Sequence, residues 1–466
     1  MHYLHTLPIS AAVLAAFPSL ASAQFAESDV EVLAALRGFA VADGFGWAGE
    51  RLDDLDGDGA PELIVSAVNG TGTVDIYSGA TGARLFRVSG TALHGYALNR
   101  AGDVNGDGVP DYIIGGLPVT VRSGADHSVL WDLTATTGFG HGVAGAGDID
   151  GDGYDDVIVG SERIFNVSED GRVFLLSGRT GGVLWQREGE PGSNLGSAVG
   201  SLGDVNRDGV PDVIVGAQSA GPSGGGEAYI LDGASGGLLR TLQPDDPAQA
   251  LVFGQFFASG AGDVDGDGVG DAFVGDYAAR GGAGESYIFS GRTGRQLYLF
   301  AGLDADDGFG PGRGIPDVNG DGYADIFIGA YTDGDGALGA GKAYLYSGRS
   351  GALLRTITST DAGAQFGVDA IAAGDVDDDG LTDYFVTAVG KSFAGTGPGE
   401  AYLIAGTPLP CPADLNGNHW VGLRDFFRLV RYLRRGDLRG DLNGDRTVDA
   451  HDIRVLIADV GRCPSP

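Results

Sequence analysis

"GDVNGDGVPD", residues 102–111, sets three aspartates and an asparagine among glycines, with a proline near the end. The cluster recurs as "DLDGDGAPE" (54–62), "DVNGDGVPD" (103–111), "DIDGDGYDD" (148–156), "DVNRDGVPD" (204–212), "DVDGDGVGD" (263–271), "DVNGDGYAD" (317–325) and "DVDDDGLTD" (375–383). From 54 to 375 the mean spacing is about 54 residues. That period lies in the range of propeller repeats and excludes a nonapeptide β-helix.

Oxygen-bearing side chains stand at loop positions 1, 3, 5 and 9. They are Asp54, Asp56, Asp58 and Glu62 in the first copy, and Asp103, Asn105, Asp107 and Asp111 in the second. The third and fourth carry Asp148, Asp150, Asp152 and Asp156, then Asp204, Asn206, Asp208 and Asp212. Asp263, Asp265, Asp267 and Asp271 follow, then Asp317, Asn319, Asp321 and Asp325, and finally Asp375, Asp377, Asp379 and Asp383. Alternate positions let such side chains converge on one centre, with the carbonyl of position 7 as a further oxygen. Glycine at position 6 permits the left-handed turn that closes the loop. An all-oxygen, multi-carboxylate set without Cys or His favours calcium over magnesium, which demands a tighter octahedron. A merely acidic Asx turn would explain one copy; seven in one register point to metal.

Charge agrees. The chain has 63 acidic against 29 basic residues, a net −34, so nucleic acid and anionic membranes are repelled unless cations intervene. Ligand positions of the seven loops hold 25 of the 63 acids, and seven divalent ions would bring −34 to −20.

After each loop comes a run such as "LIVSA" (63), "VIVGA" (213) or "IFIGA" (326), which reads as a strand buried on both faces. A further strand ("GEAYILDG", 226–233), a tight turn and another strand ("GLLRTL", 237–242) follow. The strand before each loop starts at a glycine pair: Phe45-Gly46, Gly95-Tyr96, Phe139-Gly140, Leu195-Gly196, Phe253-Gly254, Phe309-Gly310 and Phe366-Gly367. Four strands in each of seven repeats predict an all-β fold, a seven-bladed β-propeller.

Over residues 30–407 these FG…GDxNGDGxxDxxxG repeats resemble the FG-GAP repeats of integrin α-subunit propellers, and the resemblance implies calcium in the blade hairpins. The expected domains are a signal peptide (1–23, ending in an Ala-Ser-Ala site), the propeller (24–407), a linker (408–413) and a small C-terminal domain (414–466). A short N-terminal membrane anchor is the alternative to the signal peptide. The seventh repeat lacks its outer strand, and residues 29–38 have the pattern to supply it.

The C-terminal stretches "DLNGNHWVGLRD" (414–425) and "DLNGDRTVDAHD" (441–452) are twelve-residue loops followed by helical apolar spacing. They resemble the paired F-hands of dockerin modules. The resemblance implies calcium at Asp414, Asn416, Asn418 and Asp425, and at Asp441, Asn443, Asp445, Asp449 and Asp452. His419 and Arg446 replace the position-6 glycine, and Gly422 replaces an acceptor in the first loop, so one or two ions are expected there beside about seven in the propeller. The recognition positions hold Leu423-Arg424 and Ala450-His451. A cohesin-like or cell-surface partner is one reading, a small structural calcium module the other. The two cysteines, Cys411 and Cys463, bracket this segment and are expected to pair in an oxidising compartment.

Two motifs are discounted. "GASGG" (233–237) mimics a nucleophile elbow, but Ser235 occupies a turn position that other repeats fill with threonine. Two "RGD" tripeptides (435–437, 439–441) sit in an arginine-rich setting. His94 and His141 read as polar loop residues. Connections between the second and third strands offer Tyr277, Arg280, Tyr331, Asp333, Lys391 and Phe393 for a sugar or protein ligand. The expectation is a secreted or cell-surface, monomeric, calcium-binding scaffold for adhesion or ligand binding, without catalytic residues, transmembrane segment or nucleic-acid partner. A polysaccharide-degrading enzyme or accessory subunit and a structural surface component are the alternatives.

Overall fold

The computed structural model describes residues 24–133, 139–161 and 170–463; the expected signal peptide lies outside the described residues. Seven four-stranded antiparallel sheets surround one axis. In blade four the inner strand is Leu195–Gly203, followed by Asp212–Ala217, Glu227–Leu231 and the outer Leu238–Leu242. The second strand, DVIVGA, is buried at every position, which is why its sequence is a continuous apolar run without alternation. The outer strand is part exposed and carries a mixed pattern.

Apolar clusters lie between neighbouring blades. Ile214 and Ile230 of blade four meet Phe253, Val274 and Phe289 of blade five, and equivalent clusters fill the other junctions. A fully buried phenylalanine such as Phe253 contributes about 1.5–3 kcal/mol.

Ring closure joins the two ends of the propeller. Phe366–Gly374, Asp383–Ala388 and Glu400–Ile404 form three strands of blade seven, and Val32–Arg37 pairs antiparallel with Glu400–Ile404 as the fourth. Arg37 pairs with Glu400 at 2.8 Å. Upstream, Phe25 bridges to Ser359 of blade six and its ring packs edge-on against Phe366 and Tyr402. Glu27 accepts from the Thr358 N–H at 2.8 Å and from the Thr356 hydroxyl at 2.9 Å. Residues 25–37 thus span blades six and seven.

Beyond residue 407 the chain forms two short helices, Leu423–Leu433 and Ala450–Ala458, a small hairpin of Trp420–Val421 with Gly461–Arg462, and a Cys411–Cys463 disulfide. Leu429, Val455 and Leu456 share a small core with Ala352 of blade six. The segment rests on that blade. Leu353 N–H donates to the Leu442 carbonyl at 3.0 Å, and Arg446 reaches Asp304 at 2.7 Å and Asp335 at 3.4 Å. No helix among the described residues is long and apolar enough to cross a membrane.

Candidate metal loops and an axial pocket

Each acidic loop joins an inner strand to its second strand. Position 1 accepts from backbone N–H groups inside the loop: Asp103 takes Gly106 at 2.7 Å and Gly108 at 3.0 Å. Position 9 is buried and clamps two segments. Asp111 accepts from the Val104 N–H and from the Gly124 N–H, both at 2.9 Å, and Asp156, Asp212, Asp271, Asp325 and Asp383 repeat the arrangement. Glu62 keeps only the first bond, to Leu55, and its Oε1 is buried without a partner, as is Asp267 Oδ1 in the fifth loop.

Ligand-capable carboxylate oxygens of Asp54, Asp56, Asp58 and Glu62 lie within 4.8 Å of one another. So do those of Asp148, Asp150 and Asp156, of Asp263, Asp265 and Asp271, and of Asp375, Asp377 and Asp383. The position-5 acids of the third, fifth and seventh loops, Asp152, Asp267 and Asp379, stand outside these groups; Asp152 and Asp379 accept from the N–H of position 7, as Asp58 also does. Asparagine at position 3 leaves the second, fourth and sixth loops with fewer carboxylates, though Asn105, Asn206 and Asn319 still accept the N–H of Asp107, Asp208 and Asp321. Crowded carboxylates with two orphaned buried oxygens are what a hard cation satisfies. Burial, reinforced by the neighbouring acids, pushes Glu62 and Asp271 up to about 7 and Asp111, Asp156 and Asp383 up to about 6. Asp325 rises to about 7 and Asp212 in the same direction, both chiefly through burial.

Two features escape the motif. The glycine that receives each position-9 clamp (Gly124, Gly178, Gly233, Gly291, Gly348, Gly406) has no room for a side chain: a Cβ would collide with the carbonyl of loop position 8. Four of the six (Gly178, Gly233, Gly291 and Gly348) head a G-x-[TS]-G turn, and that recurrence was the available signal; Gly124 and Gly406 do not. Position 4 is left-handed as well as position 6, so Arg207 (φ 64°) and Asp378 (φ 61°) sit where five loops have glycine.

The C-terminal loops share the geometry of position 1. Asp414 accepts from Gly417 at 2.8 Å and Asn418 at 3.1 Å, and Asp441 from Gly444 at 2.8 Å and Asp445 at 3.1 Å. Position 12 is buried in both: Asp425 bonds the N–H groups of Asn416 and Gly422, and Asp452 those of Leu442 and Asp449. His419 and Arg446 adopt φ of 58° and 62°.

At the opposite end of the inner strands a pocket of about 390 Å³ opens on the axis. Trp47 and His141 line it from inner strands, Tyr96 and Phe256 from the bends that lead into theirs, and Tyr277, Tyr331 and Phe393 from connections between second and third strands. Of the six candidates on those connections, only these last three reach it. Arg280 is tied to Glu285, Lys391 to Asp361, and the buried Asp333 accepts from the Tyr344 hydroxyl at 3.1 Å. Ser235 stays in its turn, bonded to Asp232 at 2.6 Å.

The second repeat needs a correction. His94-Gly95, not Gly95-Tyr96, holds the place of the FG pair: His94 is 2% exposed, Gly95 has φ 85°, and Tyr96 faces the pocket. His94 Nδ1 lies 3.2 Å from the Pro118 carbonyl, and burial lowers its pKa, so it is a neutral core residue. His141 is likewise buried and stacks on Tyr96 with ring centres 4.3 Å apart. His94 is thus buried in the turn that enters blade two, where other repeats have phenylalanine, and His141 is buried on the inner strand of blade three.

Below the aromatic rim, Arg313 of blade six reaches Glu50 of blade one (2.5 Å) and Asp369 of blade seven (2.8 Å). Arg313→Ala would strand two largely buried carboxylates without a counter-charge. A loss of about 3–5 kcal/mol is expected by urea denaturation, whereas Arg313→Met with Glu50→Gln and Asp369→Asn is expected to lose much less.

Residues 148–215 match the FG-GAP-like repeat family. The chain is 33% identical over 184 residues to integrin alpha-3 of Cricetulus griseus, covering 35% of this chain and 17% of that protein. It is 44% identical over 87 residues to integrin alpha-IIb of Mus musculus, covering 18% and 8%, and 32% identical over 139 residues to integrin alpha-V of Gallus gallus, covering 28% and 13%. The matches span less than a fifth of each relative's length. Fold and comparisons together define an all-β, seven-bladed propeller with FG-GAP-like repeats, similar to part of integrin alpha chains.

Proposed function

We propose that the protein is a secreted or cell-surface, non-catalytic scaffold, stiffened by about seven calcium ions in its propeller loops, that binds an extracellular ligand on the face opposite those loops. The observation that carries this reading is the division of labour between the two ends of the inner strands: acidic clamps at one, an aromatic-rimmed pocket at the other. Calcium would supply the charge that closes each loop, held by the position 1, 3, 5 and 9 side chains named above. Its C-terminal loops would take one or two further ions and present the exposed Leu423 and Arg424 to a cohesin-like or cell-surface partner. A polysaccharide hydrolase works through a pair of carboxyl groups that exchange protons with the substrate, whereas Asp369 at the pocket wall and Glu50 beside it are both engaged by Arg313.

A glycan and extracellular-protein array in millimolar calcium, run beside a reducing-sugar assay, tests the reading. Binding without sugar release supports it; release of reducing ends, or no binding at all, sinks it.

The position-9 acids give a pH signature. In metal-stripped protein Glu62, Asp271 and Asp325 keep their protons to about pH 7 and Asp111, Asp156 and Asp383 to about pH 6, whereas the unfolded chain releases them near its ordinary carboxyl pKa of about 4. The unfolded state therefore binds fewer protons over that window, and stability falls as pH rises through it. With saturating calcium the trend reverses, because protons displace the ion as pH falls. Urea midpoints at pH 5 and 7.5, with and without calcium, check the crossing.

A further inference from the structure

We infer that the axial pocket takes the terminal sugar of a neutral glycan end-on, with Phe256 setting how deep it enters; this rests on the ligand-binding reading above. The entry to blade five's inner strand carries one residue more: Phe253 and Asp263 are ten positions apart, where Phe45 and Asp54 or Leu195 and Asp204 are nine. The extra residue is absorbed at Phe256, which sits at φ 62°, a conformation a phenylalanine does not take unforced. Its ring is thrown across the axis to within 6.2 Å, centre to centre, of Trp47 in blade one and Tyr96 in blade two. Trp47 is held in place by a 2.9 Å bond from its Nε1 to the Tyr96 carbonyl. These rings form a fixed aromatic layer of the kind on which a pyranose face stacks.

Three residues beyond Tyr96 and Phe256, on the inner strands Leu98–Gly102 and Ala258–Gly262, stand Asn99 and Ser259, which line the pocket beside Arg313 and Asp369. Ser259 Oγ is buried and has no partner. An apolar ligand would leave it so, at a cost. A cation would find no counter-charge at liberty: Asp369 Oδ1 holds Arg313 and the Ala370 N–H, and its Oδ2 the Gly49 N–H. A hydroxyl both donates and accepts, and the serine and the asparagine amide offer both in return. The volume is at the small end for a ligand pocket, which suits a terminal residue and not an internal stretch of chain.

Saturation-transfer NMR on the full chain in calcium tests this, with glucose, galactose, mannose, fucose and N-acetylglucosamine as probes and glucuronate and glucosamine as charged controls. At least one neutral sugar is expected to bind. Ser259→Ala and Asn99→Ala are each expected to weaken it by about tenfold, and Phe256→Ala to admit a disaccharide that the parent excludes; unchanged melting temperatures establish that the variants fold. Preference for glucosamine or glucuronate over every neutral sugar, or binding indifferent to Ser259 and Asn99, overturns the inference. Array binding that survives the pocket variants overturns it while sparing the scaffold reading; silence in both assays removes both.

Discussion

Stripping calcium from the protein is expected to lower its melting temperature by about 10–15 °C. At the affinities of extracellular calcium modules, about 10⁻⁴ to 10⁻³ M, a tenfold excess of ion over the dissociation constant stabilises each site by about 1.4 kcal/mol. Seven such sites sum to about 10 kcal/mol, comparable to the stability of a whole domain. Spread over a propeller of this size, at about 2.1 cal/mol/K per residue, that energy corresponds to the stated shift. The structural reason lies in the orphaned Glu62 Oε1 and Asp267 Oδ1 and in position-9 carboxyls that burial drives towards their neutral form. Calorimetry before and after chelation, with elemental analysis of the untreated protein, is decisive. Equal melting temperatures and no bound metal would remove the calcium reading altogether.

Deleting residues 24–38 is expected to be more damaging still. Phe25, Val30, Val32, Leu33 and Leu36 are all buried, and at about 1.5–3 kcal/mol each their loss approaches the stability of the fold. The deletion also bares the edge of Glu400–Ile404, a buried strand whose open hydrogen-bonding row invites pairing with another chain. The truncated protein should elute as aggregate in size-exclusion chromatography and be cleaved rapidly within blade seven, and a peptide of residues 24–38 should restore part of the monomer. A soluble truncated monomer with the parent's melting temperature would show that the ring holds without its N-terminal strand.

The two effects differ in how openly the chain announces them. Blade number was legible because a loop that must turn left-handed and hold several oxygens tolerates few residues, so its spelling survives seven times at even spacing. The disulfide was legible because Cys411 and Cys463 have no other cysteine to choose. By contrast, the second repeat was read one residue out of register, since Tyr96 looks more like phenylalanine than His94 does. Only the burial of His94 and its bond to Pro118 reveal which ring fills the core.

What the amino-acid order determined alone is whatever depends on neighbours a few residues away: the acidic loops, the glycine turns and the apolar second strands that together dictate seven equivalent blades. The tertiary structure alone decided what lies on the axis. Arg313 meets Glu50 across 263 residues, and Phe256 meets Trp47 from the far side of the ring. Such contacts follow from closing a circle, because the inner strands converge only once the last blade has found the first. No local spacing encodes them, and each side chain in that channel reads on its own as an unremarked strand residue.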